Sequence, residues 1–302
     1  MSAPASQKLH WAAISALAAY VLWGAFGLYF KALSEVSALE VLCHRIVWSV
    51  AFLALIITLT KKWPHVAEIL ANRKRLFLFA LSAMLISINW GVYIYAVISG
   101  QALEGSMGYF IMPLVAVLLG AVFFAERFSK MQGLAIGLAL LGVLYQILAY
   151  GKLPWIAVSL ALSFGFYGML RKKSPAESVV GLFLETLIMT PIALFYMGFL
   201  FSQNALYFTT ANIDMQGLLM LAGPVTAVPL ILFAFGARQL RYSTVGILQY
   251  INPTCQFLLA IFIFLEPFEL DKLVTFGFIW AGVLLYSMSI WQQSRAKKAA
   301  LP

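Results

Sequence analysis

The stretch PLVAVLLGAVFFAERFSKMQGLAIGLALLG at residues 113–142 is answered by PTCQFLLAIFIFLEPFELDKLVTFGFIWAG at residues 253–282, an offset of 140 positions. Without a gap, Pro113 falls on Pro253, Glu126 on Glu266, Gly137 on Gly277 and Gly142 on Gly282. Matching leucines mean little in so apolar a chain. A proline, a glutamate and two glycines at fixed spacing mean more. The chain therefore reads as an internal repeat, with residues 1–150 as one unit and 151–302 as the other.

Working outward, the composition names the solvent. Of the 302 residues 63% are hydrophobic and 10% charged, with a mean hydropathy of +0.93, whereas a soluble domain carries about 25% charged residues. There is too little polar surface to face water on all sides, so lipid is the expected partner. The net charge of +9 does not point to nucleic acid, because the charges sit in short clusters between apolar runs, as suits orientation against anionic lipid.

Runs of about 20 apolar residues suffice for an α-helix to cross the hydrocarbon core. Ten are expected, at 11–30, 37–60, 75–97, 102–124, 131–149, 154–171, 178–201, 214–236, 243–264 and 272–291. The fold class is thus all-α and polytopic. The first run, Trp11 to Phe30, is longer than the apolar core of a cleaved signal peptide. With the N-terminus cytoplasmic, sixteen Lys and Arg fall in inner loops and tails, Arg171 to Lys173 among them, and three (Lys31, Lys152, Lys272) fall outside. That asymmetry places both termini in the cytoplasm. Five helices per unit is an odd number, so the units must cross in opposite senses. Inverted repeats of this kind are a recurrent design of secondary transporters.

Arg45 is the one basic residue left inside a span, and the 140-residue offset maps it onto Glu185. An ionisable side chain in mid-bilayer costs at least about 2.5 kcal/mol, so it faces a cavity or a partner. The two are candidates for substrate or proton handling; a structural ion pair or snorkelling is the bland alternative. His44 adjoins Arg45 and is a candidate proton acceptor. Glu40 and Glu104, near helix ends, are expected to be solvated or to pair with Arg45 or Lys31. Asn89, Trp90 and Tyr93 form a polar-aromatic group, Tyr109 matches Gln249, and Asn252 precedes Pro253. These six complete the expected cavity lining, although asparagine also joins helices and Trp and Tyr also mark interfaces. Pro113 and Pro253 are hinge candidates, since each removes a backbone donor. Gly133 and Gly137 read as a close-packing pair.

No phosphate loop, H-E-x-x-H or G-x-S-x-G motif is present, so ATP hydrolysis and membrane proteolysis lack support. Cys43 and Cys255 lie within apolar runs without metal-type spacing. No cofactor and no metal are expected.

Several stretches together resemble the RarD-type branch of the EamA, or drug/metabolite, transporter superfamily. They are LYFKAL (28–33), E-x3-HR-x2-WS (40–49), NWGVYIYAV (89–97), GYFI-x-PL (108–114) and YGMLRK (167–172). GLFLET (181–186), TAVPLILF (226–233), STVGILQYI-x-PT (243–254), AER (125–127) and EPF (266–268) continue the match over nearly the whole chain. The resemblance implies an inner-membrane carrier of ten helices in two EamA units, with a family association with chloramphenicol sensitivity. Met112 stands where the family commonly has Asn, and Gly27 where it often has Pro. The leading expectation is a secondary exporter or exchanger of a small metabolite or drug-like solute, working by alternating access around a central cavity. An intramembrane enzyme on a lipid-linked substrate and a non-transporting structural or regulatory bundle are the alternatives. A homo-oligomer is compatible with all three.

Overall fold

The computed structural model describes residues 5–99, 101–151, 154–174, 176–263 and 270–299. Glu266 and Lys152 lie outside the described residues, as do the side chains of Glu104 and Lys272. The described chain is helical throughout. Its elements are α1 (Ala5–Gly24), α2 (Phe26–Ala32), α3 (Ala38–Leu59), α4 (Trp63–Ala71), α5 (Arg73–Ile98), α6 (Ala102–Phe124) and α7 (Lys130–Tyr150). They continue as α8 (Trp155–Lys173), α9 (Ser178–Ser202), α10 (Tyr207–Thr210), α11 (Ile213–Gln239), α12 (Tyr242–Gln249), α13 (Ile251–Phe262) and α14 (Leu270–Ala299).

Eight of these helical segments are long and apolar enough to cross a membrane, so the chain is a multi-pass membrane protein. Two expected spans look different. Residues 154–171 fall on α8, which is less apolar because it ends on Arg171, Lys172 and Lys173, and which has eleven residues buried, Ser163, Tyr167 and Arg171 among them. Residues 243–264 are broken at Tyr250 into α12 and α13. Pro253 has no N–H for the carbonyl of Gln249, and Pro113 none for that of Tyr109. Yet α6 runs unbroken through Pro113, so the two prolines act unequally.

Helix ends are set locally. Ser37 caps α3 through the Glu40 N–H, Asn212 caps α11 through Met215, and Ser129 with Gln132 forms a capping box at α7. Ala125, at φ 50°, and Gly151, at φ 77°, stop α6 and α7 in the left-handed region.

The 140-residue offset reappears in the helix starts. Helices α9, α11 and α12 begin 140 residues after α3, α5 and α6 respectively. Counterparts pack on one another: α3 on α9, α6 on α12, α7 on α14, while α1 on α11 is answered by α8 on α5. Helices α3 and α9 run antiparallel. Lys62, after the end of α3, pairs with Glu177, before the start of α9, and Glu40, near the start of α3, reaches Tyr207 and Phe208 beyond the end of α9. Lys62 also holds the Glu177 carboxyl below the usual carboxylate range. The exposed pair adds little to stability.

The crossing of α7 and α14 explains two of the repeated glycines. A Cβ at Gly142 would lie 2.9 Å from the Thr275 carbonyl oxygen, and one at Gly282 would lie 2.7 Å from that of Ala135. Since Ala135 and Thr275 are themselves 140 apart, these are one contact made twice. The expected packing role of Gly133 and Gly137 is corrected: a Cβ at either position, or at Gly277, meets nothing within 4 Å. Gly142→Ala and Gly282→Ala should therefore each destabilise the fold by about 1–3 kcal/mol. Gly137→Ala and Gly277→Ala should be neutral or stabilising by up to about 1 kcal/mol. Thermal unfolding in detergent separates the two pairs.

Candidate functional site

One helical face after another supplies a common chamber. On α5, Ile86, Asn89, Trp90 and Tyr93 recur at three- and four-residue spacing and so share a face. Tyr109 and Met112 do the same on α6, and Gln249, Asn252, Gln256 and Leu259 across α12 and α13. Together with Trp23, Gly24, Phe26, Gly27 and Phe30 from α1 and α2, Arg45 from α3, Leu160 and Phe164 from α8 and Leu230 from α11, they line a cavity of about 380 Å³. This volume lies within the range of about 300–1,000 Å³ typical of small-molecule sites. The cavity is set towards the end of the bundle where α2 ends and α3 begins.

Seven of the nine expected lining residues are here: Arg45, Asn89, Trp90, Tyr93, Tyr109, Gln249 and Asn252. The Arg45 Nε donates to Thr226 Oγ1 at 2.9 Å, and the guanidinium lies 4.9 Å from the centre of the Trp90 ring and 5.7 Å from that of Phe30. Asn89 Nδ2 donates to the Leu160 carbonyl (2.9 Å) and Ser163 Oγ (3.1 Å). Gln249 Nε2 lies 3.2 Å from Met112 Sδ, and Gln256 Nε2 donates to Asn252 Oδ1 at 3.0 Å. Trp23, Phe26, Phe30 and Gln256 were not among the expected residues. The helical spacing of Gln249, Asn252 and Gln256, and of Trp23, Phe26 and Phe30, could have found them.

His44 and Glu185 do not line the cavity. His44 Nδ1 accepts from Trp48 Nε1 at 3.2 Å, its ring centre lies 4.9 Å from that of Phe208, and Nε2 is 3.8 Å from Glu40. Glu40 is not solvated as expected but buried, and accepts the backbone N–H of Tyr207 (3.2 Å) and Phe208 (3.0 Å). This corner joins α3 to the α9–α11 connection.

Glu185 sits towards the opposite end, and Arg45 is not its partner. Its carboxylate accepts from Ser82 Oγ, from Tyr167 Oη at 3.2 Å and from Arg171 Nη1 at 3.5 Å; Arg171 Nη2 also donates to the Ser178 carbonyl at 3.0 Å. Arg171, expected in an inner loop, is 1% exposed. Gly181 of the GLFLET stretch leaves room for its guanidinium, since a Cβ there would fall 2.0 Å from Nη1. The physical reason is directional: because α3 and α9 are antiparallel, residues seven positions into each lie near opposite ends.

Between the cavity and Glu185 lies an aromatic floor. Tyr20, Trp23, Phe164, Tyr167 and Phe233 pack with ring centres 5.3–6.4 Å apart. Tyr20 Oη donates to the Val245 carbonyl at 3.0 Å and Tyr242 Oη to that of Gly165 at 2.5 Å. Glu126 then caps α12 by accepting the N–H groups of Tyr242 (2.5 Å) and Ser243 (3.1 Å).

Fold and site together define a multi-pass helical membrane protein enclosing a polar-aromatic chamber. The EamA-like transporter family model matches residues 10–148. Protein RarD of Salmonella typhi is 43% identical over 282 residues, covering 93% of this chain and 96% of its own. An uncharacterized transporter of Bacillus subtilis, YojE, is 43% identical over 93% of this chain and 94% of its own. The chloramphenicol-sensitive protein RarD of Pseudomonas aeruginosa is 31% identical over 92% and 93%. A solved crystal structure matches with a TM-score of 0.66 at 15% identity, covering 92% of this chain and 97% of its own, which bears on the fold alone. The chain belongs to the EamA-like transporter family, in its RarD-type branch, and is a membrane transporter.

Because the Glu185–Arg171 pair is fully buried, removing one partner strands the other charge. Arg171→Met should cost about 3–5 kcal/mol, and the double variant Arg171→Met, Glu185→Met should recover most of it. Apparent unfolding temperatures of the three proteins check this.

Proposed function

We propose that the chain is a secondary transporter of a small solute that works by alternating access, built as two inverted five-helix units, 1–150 and 151–302. The observation that carries this is the unequal state of two symmetry-related positions. Arg45 faces a cavity at one end of the bundle, while its counterpart Glu185 is sealed behind an aromatic floor at the other. In an inverted repeat, rocking one unit against the other exchanges those environments. Tyr93 corresponds to Phe233, and Gly24 and Gly27 to Phe164 and Tyr167. Closing the first set and opening the second would bring Glu185 to a cavity of its own.

The basic residues support a direction. Lys62, Arg73, Lys74, Arg75, Arg127, Lys130, Lys172, Lys173, Arg238 and Arg241 all belong to the Glu185 end. By the positive-inside rule this end is cytoplasmic, with both termini, in the bacterial inner membrane. The described state then faces outward. Some of these residues also do structural work: Lys172 donates to the carbonyls of Ala237 and Leu240.

An enzyme on a lipid-linked substrate finds less support, because no carboxylate or histidine is among the residues lining the cavity, and Arg45, Tyr93 and Tyr109 alone offer no acid–base pair near neutral pH.

In proteoliposomes, a solute that stabilises the purified protein should show saturable flux driven by its own gradient or by a proton gradient. One relative's name makes chloramphenicol a member of the panel. Glu185→Gln should flatten the pH dependence of flux while preserving binding. A profile identical to that of the wild type would remove Glu185 from coupling, and absence of flux for every stabilising solute would end the transport reading.

A further inference from the structure

We propose that the solute is a singly charged organic anion with a planar apolar body, its carboxylate received by Arg45. This deepens the transport reading and rests on it only for what happens after binding.

The charge argument comes first. Arg45 is the one formally charged side chain among the residues lining the cavity. A guanidinium offers five N–H donors in a planar fork. The Nε donor is taken by Thr226, and among the described residues no carboxylate or other acceptor meets the four at Nη1 and Nη2. Trp90 and Phe30 hold the group in place from its apolar sides. The fork is shaped for two parallel bonds to a carboxylate. One negative charge neutralises the chamber. A dianion such as a phosphate monoester would bring a surplus charge with no second cation among the lining residues, and a cation would be repelled.

The body of the ligand follows from the walls. Trp23, Phe26, Trp90, Tyr93, Tyr109 and Phe164 present mostly ring surface, which suits a flat apolar group by stacking and edge contacts. Specificity comes from amides that are only half used. Asn89 and Gln249 each spend their Nδ2 or Nε2 on the protein, and Asn252 spends its Oδ1. Each keeps its other end for a polar substituent on the ligand.

The test is a ligand series of one shape and varied charge on the full-length protein in detergent. Hydrocinnamate, its neutral amide, phenylpropylamine and phenyl phosphate at millimolar concentration would be compared by thermal unfolding. The carboxylate should raise the unfolding temperature most, and the amide and amine should leave it unchanged. Arg45→Gln should weaken carboxylate binding by about ten- to a hundredfold, as expected for a lost charge-assisted hydrogen bond. Arg45→Lys, which keeps the charge but not the fork, should fall between. Should Arg45→Gln fail to fold, the wild-type series decides alone. Equal stabilisation by the amide or amine, a preference for the phosphate, no stabilisation by the carboxylate, or undiminished binding in Arg45→Gln would each overturn the proposal. A carboxylate that binds with this charge preference yet is not moved in vesicles would end the transport reading and leave the anion site standing. Transport of the amine independent of Arg45 would do the reverse.

Discussion

A charged side chain taken into a membrane-spanning bundle must be given a partner or an aqueous neighbour, because burying it bare costs at least about 2.5 kcal/mol. This chain meets that constraint in two ways at two related positions. Glu185 is given its counter-ion within the protein: Arg171, two hydroxyls and a backbone carbonyl complete a closed cluster. Arg45 is given one hydroxyl, two aromatic rings and a cavity. The first arrangement is sealed within the protein, with the Arg171 Nε left as a buried donor that meets no acceptor among the described residues. The second has no counter-ion among the described residues and opens onto the cavity instead.

The rest of the bundle serves to keep these two environments apart. Counterpart helices cross in antiparallel pairs, so each feature built near one end of a helix in the first half recurs near the opposite end in the second. The α7–α14 crossing, with Gly142 against Thr275 and Gly282 against Ala135, shows how far the equivalence goes. Between the ends lie the packed rings of Tyr20, Trp23, Phe164, Tyr167 and Phe233. The equivalence is broken in side chains more than in backbone. Tyr167 and Phe164 stand where the first half has Gly27 and Gly24, and bulk replaces space on the closed side.

Much of this was legible in the sequence. Hydropathy marked the helices, since every span in lipid must satisfy its own backbone hydrogen bonds and so must be a long apolar run. The 140-residue offset recurs in three helix starts, because gapless duplication preserves register. Helical spacing put Asn89 with Tyr93, and the offset put Tyr109 with Gln249. All four line the cavity, which local periodicity can signal by placing polar groups on one face.

What the sequence could not supply was who meets whom across helices. It mapped Arg45 onto Glu185 and left an ion pair between them as one alternative, but antiparallel packing sets equivalent residues near opposite ends, and the partner of Glu185 is Arg171, a residue that charge counting assigns to a loop. Glu40 and His44 looked like interface and site residues and are instead a buried join to Tyr207 and Phe208. Gly137 and Gly142 are alike in the repeat, yet one crosses a neighbouring backbone and the other faces open space. Sequence alone determined the solvent, the helices and their duplication, because these follow from composition and local periodicity. Only the tertiary structure decided which charge is sealed and which is left open, because that depends on contacts between side chains carried by different helices.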